Sequence, residues 1–336
     1  MLNFESFTEY VKDHIKEFLP PEFENAEVEL QTVNKNNGKV LHGITIRTPE
    51  NPISPNIYLE QFYDAYSEQG MDLDVVMERV AQIELEHMEP SEDYSDVAKK
   101  FNDVDFIKSH VVMAIINAGK NEEMLKETPH KFTEDLAIIY KVFIGSGADG
   151  VSTITVKNEH MKKWGISLDE LHECAMENSK NIMPVKVQDM ESLLRGMMGD
   201  VDEDTIPQVA EDKMMYVITN EQKVNGAASI IYSDALEKLS EKIGTDLYIL
   251  PSSIHETIAI STDFGTPEEL AMMVREVNAA QVSLEEQLSD HVYKYDAKSK
   301  TLSLADAEAA DISKVSEEKQ AYETDNTEVS RPRHHR

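Results

Sequence analysis

The sequence predicts an α+β protein with mixed, largely antiparallel sheets, hairpins and packed helices, followed by a disordered C-terminal tail. Three observations carry that expectation. Strand-like runs come in pairs joined by turn residues, helices are announced by capping residues, and a glycine-rich stretch leads into another strand rather than a helix.

Asn3 is placed to cap a first helix in which Phe4, Phe7, Val11, Ile15 and Phe18 recur at spacings of three and four, and Pro20 and Pro21 end it. The runs AEVELQTV and KVLHGITI follow, with Asn37-Gly38 supplying the positive φ that a hairpin turn requires. Leu73, Val76, Val80 and Ile83 form one stripe of a helix that starts near Asp72. HVVMAIIN and DLAIIYKVFI, short and rich in β-branched residues, read as buried strands. Ser167 to Glu170 has the form of a capping box, and Met190 to Met198 that of a short helix. Further on, KMMYVITN and GAASIIY read as two strands around Asn225-Gly226. Ser233 caps a helix that Gly244 stops, and DLYILP and ETIAIS are strands. Thr266-Pro267-Glu268-Glu269 is a strong helix start, and HVYKYD reads as the last strand.

This pattern divides the chain into an N-terminal α+β domain (1–198), an acidic linker (199–212), a C-terminal α+β domain (213–296) and a disordered tail (297–336). The 336 residues are 40% hydrophobic, enough for substantial cores. With 64 acidic against 32 basic residues the formal charge is -32, which repels phosphate backbones, so no nucleic-acid partner is expected. Cys174 is the single cysteine and forms no intrachain disulfide. The N-terminus lacks the basic start and unbroken apolar stretch of a secretory signal, and no run of about 18 apolar residues occurs. The expectation is a soluble, cytoplasmic protein with no membrane association.

GSGADG, from Gly145 to Gly150, matches the Gly-x-Gly-x-x-Gly fingerprint of dinucleotide sites. Such a site needs the glycines to open a helix whose free N–H groups face the phosphates. Here VSTITVKN follows, which has strand composition, so the stretch reads as a β-hairpin loop and no cofactor is expected. Glu170, near the distance of a ribose-binding acid, is assigned to the helix cap.

The most suggestive polar cluster is SSIHE, with Ser252, Ser253, His255 and Glu256 as a candidate binding loop. A hydrolase or transferase would need Ser253 as nucleophile and His255 as its base. Strand neighbours two apart lie about 6 to 7 Å apart and diverge, which favours a polar turn. No metal site is expected. His255 opens HETIA, but Ala259 stands where a zinc-protease pattern needs its second histidine. Glu84 and His87 form one isolated Glu-x-x-His, assigned to a solvated helix face, and His334 and His335 close the tail. Cys174 and Trp164 read as packing residues, and the 16 methionines as core filling.

NEEMLKETPHKFTEDLAIIYKVF, NEHMKKWGISLDELHECAMENS, DLYILPSSIHE and MVREVNAAQVSLEEQLSDHVYKYD together resemble an uncharacterised bacterial family, a domain of unknown function typical of anaerobic gut bacteria, from about Phe4 to Asp296. The resemblance implies a cytoplasmic bacterial protein with one architecture across the expected linker, and it assigns no catalytic, cofactor-binding or metal residue. The functional expectation is therefore a non-enzymatic cytoplasmic protein that binds another macromolecule, with a protein as the partner. The alternatives are an enzyme built on Ser253 and His255, and an acidic decoy that imitates DNA.

Overall fold

The computed structural model describes residues 1–48, 56–86, 100–147, 150–198 and 213–305, and the side chains of all of these but 197 and 198. The chain divides into two units, residues 1–99 and 100–336. Every strand pairing among the described residues is antiparallel, and with the interspersed helices the fold is α+β.

In the first unit, helix α1 (Phe4–His14) begins where the Asn3 side chain accepts the Ser6 amide at 2.8 Å, and it tightens into a 3₁₀ turn at Ile15–Phe18 ahead of the prolines. Strands β1 (Glu27–Asn34) and β2 (Val40–Arg47) form the expected hairpin, with Asn34 opposite Val40 and the turn at Asn37 and Gly38, whose φ values are 57° and 69°. Strand β3 (Ile57–Tyr58) joins β2. Helices α2 (Glu60–Ser67) and α3 (Leu73–Glu86) bring Phe62, Val76 and Val80 to a core shared with Phe7, Val11 and Ile44.

The second unit opens with α4 (Val104–His110), β4 (Val111–Asn117) and the short α5 (Glu122–Leu125). Strands β5 (His130–Thr133), β6 (Leu136–Gly147) and β7 (Gly150–Thr155) complete a sheet in which β4 flanks β6 on one side, with β5 also paired to β6 and β7 to its far end. The glycine fingerprint is therefore a hairpin loop: Gly147 pairs with Gly150 and the chain continues as strand through Thr155. No helix N-terminus follows it to receive a phosphate.

Helices α6 (Asn158–Trp164) and α7 (Leu168–Ile182) come next. Ser167 Oγ accepts the Glu170 amide at 3.2 Å, but the capping box does not close, because the Glu170 carboxylate pairs with Lys108 Nζ at 2.7 Å. The buried Ser179 of α7 accepts the Met113 amide at 2.9 Å, which satisfies an edge donor of β4. Strand β8 (Val185–Asp189), helix α8 (Met190–Met198) and strand β9 (Tyr216–Asn220) are followed by α9 (Ser229–Tyr232) and α10 (Ala235–Ile243). Strands β10 (Leu247–Leu250) and β11 (Thr257–Ser261), helix α11 (Pro267–Gln281) and strands β12 (Tyr293–Asp296) and β13 (Thr301–Leu304) finish the unit. The second sheet runs β13-β12-β10-β11-β9-β8. Ile115 and Tyr140 of the first sheet, Ile218 and Ile249 of the second, and Leu171 and Leu236 of the helices share one hydrophobic core.

Three expectations are corrected. The division falls after residue 99 rather than at 199–212, because β8 pairs with β9 and so places the two expected domains in one sheet; residues 199–212 themselves lie outside the described residues. The tail does not begin at 297. Thr301–Leu304 alternate in exposure and pair with β12 as its edge neighbour, while 306–336 lie outside the described residues. GAASIIY is helical rather than a strand: Asn225 takes a left-handed φ of 52°, and the chain then coils through a 3₁₀ turn into α9. A short apolar run carries no period that separates a strand from a buried helical turn.

That coil demands a glycine. A Cβ at Gly226 would lie 2.2 Å from Thr219 Oγ1 and 2.4 Å from the His255 carbonyl oxygen. Gly226→Ala is expected to destabilise the protein by about 1–3 kcal/mol through overpacking. Urea unfolding checks this as a lower midpoint at unchanged slope.

Candidate functional site

The turn between β5 and β6 is two residues long. Glu134 takes a φ of 54°, and Asp135 follows with its carbonyl accepting the Ala118 amide at 2.8 Å. The Asp135 side chain is 8% exposed, and a carboxylate that far from water needs donors. Ser289 Oγ donates to its Oδ2 at 2.7 Å, and the Tyr293 hydroxyl donates to its Oδ1. Asn117, the last residue of β4, approaches Oδ2 through Nδ2 at 3.5 Å, long for a hydrogen bond. Burial, and then the negative charge of Asp135, hold the Tyr293 phenol well above the ordinary tyrosine range, so it stays protonated and remains the donor.

A second carboxylate stands beside the first. Asp290 Oδ1 accepts from Asn278 Nδ2 at 2.7 Å and Oδ2 from Lys120 Nζ at 3.3 Å, and the same ammonium donates to Gln287 Oε1 at 3.3 Å. Burial alone would raise the proton affinity of Asp290, but the Asn278 amide and the Lys120 charge hold it below the usual carboxylate range.

These groups border a cleft of ≈ 1280 Å³. Its polar end has Asn117, Lys120, Asp135, Asp290 and His291, and its apolar walls are Leu125 of α5, Phe132 of β5, Met161 of α6 and Leu168 of α7. Phe132 and Leu125 continue inward to Ile116 and Ile139, so the wall is backed by packed core. On β5 the alternate residues His130 and Phe132, and Glu134 beyond them, line the cleft. His130 Nδ1 lies 2.7 Å from the Thr128 carbonyl oxygen, which can only accept, so Nδ1 is the donor in this contact.

The candidate loop lies behind this cleft, not in its lining. Ser253 Oγ accepts the His255 backbone amide at 3.0 Å, a polar turn. The His255 ring accepts the Asn225 amide at Nδ1 at 3.3 Å and faces Glu286 through Nε2 at 3.7 Å, so neither nitrogen is paired with the Ser253 hydroxyl. The Ser252 carbonyl accepts from Leu288, the Pro251 carbonyl from Ser289, and Ile254 donates to Glu286. Glu256 is exposed. The loop thus fixes the backbone that presents Ser289 and Asp290.

The other candidates are packing groups. Trp164 is buried and donates to the Phe101 carbonyl at 3.0 Å. Cys174 packs against the core, and burial pushes its thiol up, away from thiolate. Glu84 is buried at 3% exposure rather than solvated, and His87, His334 and His335 lie outside the described residues. Among the described residues no three His, Cys, Asp or Glu side chains gather as a metal ion would need, and no helix is long and apolar enough to cross a membrane.

The sequence did not single out Asp135, because Glu134-Asp135 reads as an ordinary polar turn. Its partners stand 154 and 158 residues away, beyond any local pattern. The one available signal was Ser289-Asp290, a polar pair directly ahead of a strand.

Residues 4–297 match a family of unknown function (DUF5688), and the chain belongs to that family. No curated protein and no solved structure matches the chain.

Asp135→Ala would leave two buried hydroxyls without an acceptor and is expected to cost about 2–5 kcal/mol. A double-mutant cycle with Tyr293→Phe in urea unfolding should show strong coupling, and additive losses would contradict it. The depressed proton affinity of Asp290 gives a definite sign with pH. Its contribution is complete above the ordinary carboxylate value of about 4 and is lost as the pH falls through the lower folded value. Asp290→Asn should flatten that acid limb of the stability curve.

Proposed function

We propose that the protein is a non-enzymatic binding protein whose cleft beside β5 receives an extended segment of another protein. The observation that carries this reading is the size and wall of the cleft. Small-molecule sites occupy about 300–1,000 Å³ and enclose most of the ligand. This cleft is larger, at ≈ 1280 Å³, and a strand face with alternating side chains forms one wall. An extended peptide has the same two-residue repeat and can set side chains against Phe132, Leu125 and Met161.

The electrostatics agree with such a partner. Acidic residues outnumber basic ones two to one over the whole chain, but the cleft lining carries four acidic side chains and three lysines. A segment entering it does not have to overcome the repulsion that the rest of the surface offers to acidic partners. The chemistry also favours binding over turnover. Ser289 is fully buried with its hydroxyl committed to Asp135, and Ser253 and His255 are committed to holding a turn.

A photo-crosslinking side chain in place of the half-buried Met161, carried by the full chain in its host, tests the reading. The expected product is an adduct with one protein, mapped to one short segment by mass spectrometry and abolished by Phe132→Asp. Adducts with a small molecule alone, or a protein adduct insensitive to Phe132→Asp, would overturn it.

A further inference from the structure

We infer that the segment held in this cleft carries a lysine or arginine whose charge is received by Asp135. The inference rests on the reading of the cleft as a peptide site and names what that site selects. Asp135 is more than nine-tenths buried, yet it borders the cleft. Among the described residues its hydrogen bonds come from Ser289, Tyr293 and Asn117, all uncharged. The neighbouring carboxylate differs: Asp290 has an ammonium, Lys120, as its partner.

Buried charges in folded proteins are ordinarily paired with an opposite charge, because hydroxyl donors recover only part of the lost hydration. A carboxylate at the wall of a cleft whose hydrogen-bond donors are all neutral therefore attracts a cation more strongly than an exposed one does. The cation is organic by geometry, since the described carboxylates and imidazoles do not gather into a metal-binding group. The walls fit the stem of such a residue. Leu125 and Phe132 offer apolar surface to the methylenes of a lysine or arginine while its head reaches the polar end.

Lys120 defines the limit of this pole. Its two contacts, to Asp290 and Gln287, are both 3.3 Å, longer than a tight charge-assisted bond. It pairs with Asp290, and among the described residues no ion pair is made by Asp135.

Random peptides displayed on phage and selected against the full chain test the inference. Selected peptides are expected to share one Lys or Arg flanked by apolar residues and to compete with one another. Replacing that residue by norleucine should weaken binding to the native protein about 10- to 100-fold, and to Asp135→Asn less than about threefold. If Asp135→Asn does not fold, salt decides on the native protein alone. Raising it should weaken the basic peptide markedly and the norleucine peptide little. Selected peptides that compete for the cleft but share no basic residue, or that lose equally on both proteins, or whose salt response is the same with norleucine, overturn the inference and leave the peptide site standing. Selection of no peptide overturns both.

Discussion

A single buried carboxylate organises the larger unit. Asp135 sits in a two-residue turn of one sheet, and its two strong donors, Ser289 and Tyr293, lie at the entrance to a strand of the other. Hydrophobic packing brings the sheets together without specifying their registration, because apolar contacts are non-directional. Two hydroxyls converging on the two oxygens of one carboxylate admit few arrangements. The cost of leaving any of these groups unpaired away from water makes the arrangement obligatory. The same requirement shapes the cleft, since the turn that delivers Asp135 also sets β5, and the segment that delivers Ser289 also presents Asp290.

Support for that segment comes from a quieter part of the chain. Pro251, Ser252 and Ile254 bond the backbone of residues 286 to 289, while the His255 ring and carbonyl hold Asn225 and Thr219. Gly226 lies so close to this loop that no side chain fits. Polar residues that resemble a reactive cluster on paper are consumed by the need to satisfy backbone groups in a buried turn. The polar end of the cleft is built on that hydrogen-bonded backbone.

Much of the fold was legible in the sequence, because its signals are local. Asn3, Thr266 with Glu269, and Gly244 mark helix ends through bonds made within a few residues. Asn37-Gly38 and the glycines at 145–150 mark hairpins through backbone freedom. The failures share a different cause. The pairing of β8 with β9 spans an acidic stretch that composition alone makes look like a boundary, and β13 is a polar edge strand with too few apolar residues to declare itself. Gly226 to Tyr232 coils where its composition suggests a strand, because a seven-residue apolar run fits either period. The site was the least legible of all. Its polar residues come from three separated stretches that only the closed sheets bring together.

The separation of Asp135 from Ser289 and Tyr293, by 154 and 158 residues, imposes an order on the life of the molecule. A ribosome delivers the turn long before it delivers the hydroxyls, and the sheet that holds the carboxylate has all four of its strands by Thr155. Until Tyr293 emerges, this acid must stay in contact with water. The nascent chain therefore carries an open seam through nearly half of its synthesis, and the polar end of the cleft is complete only once Tyr293 has been made.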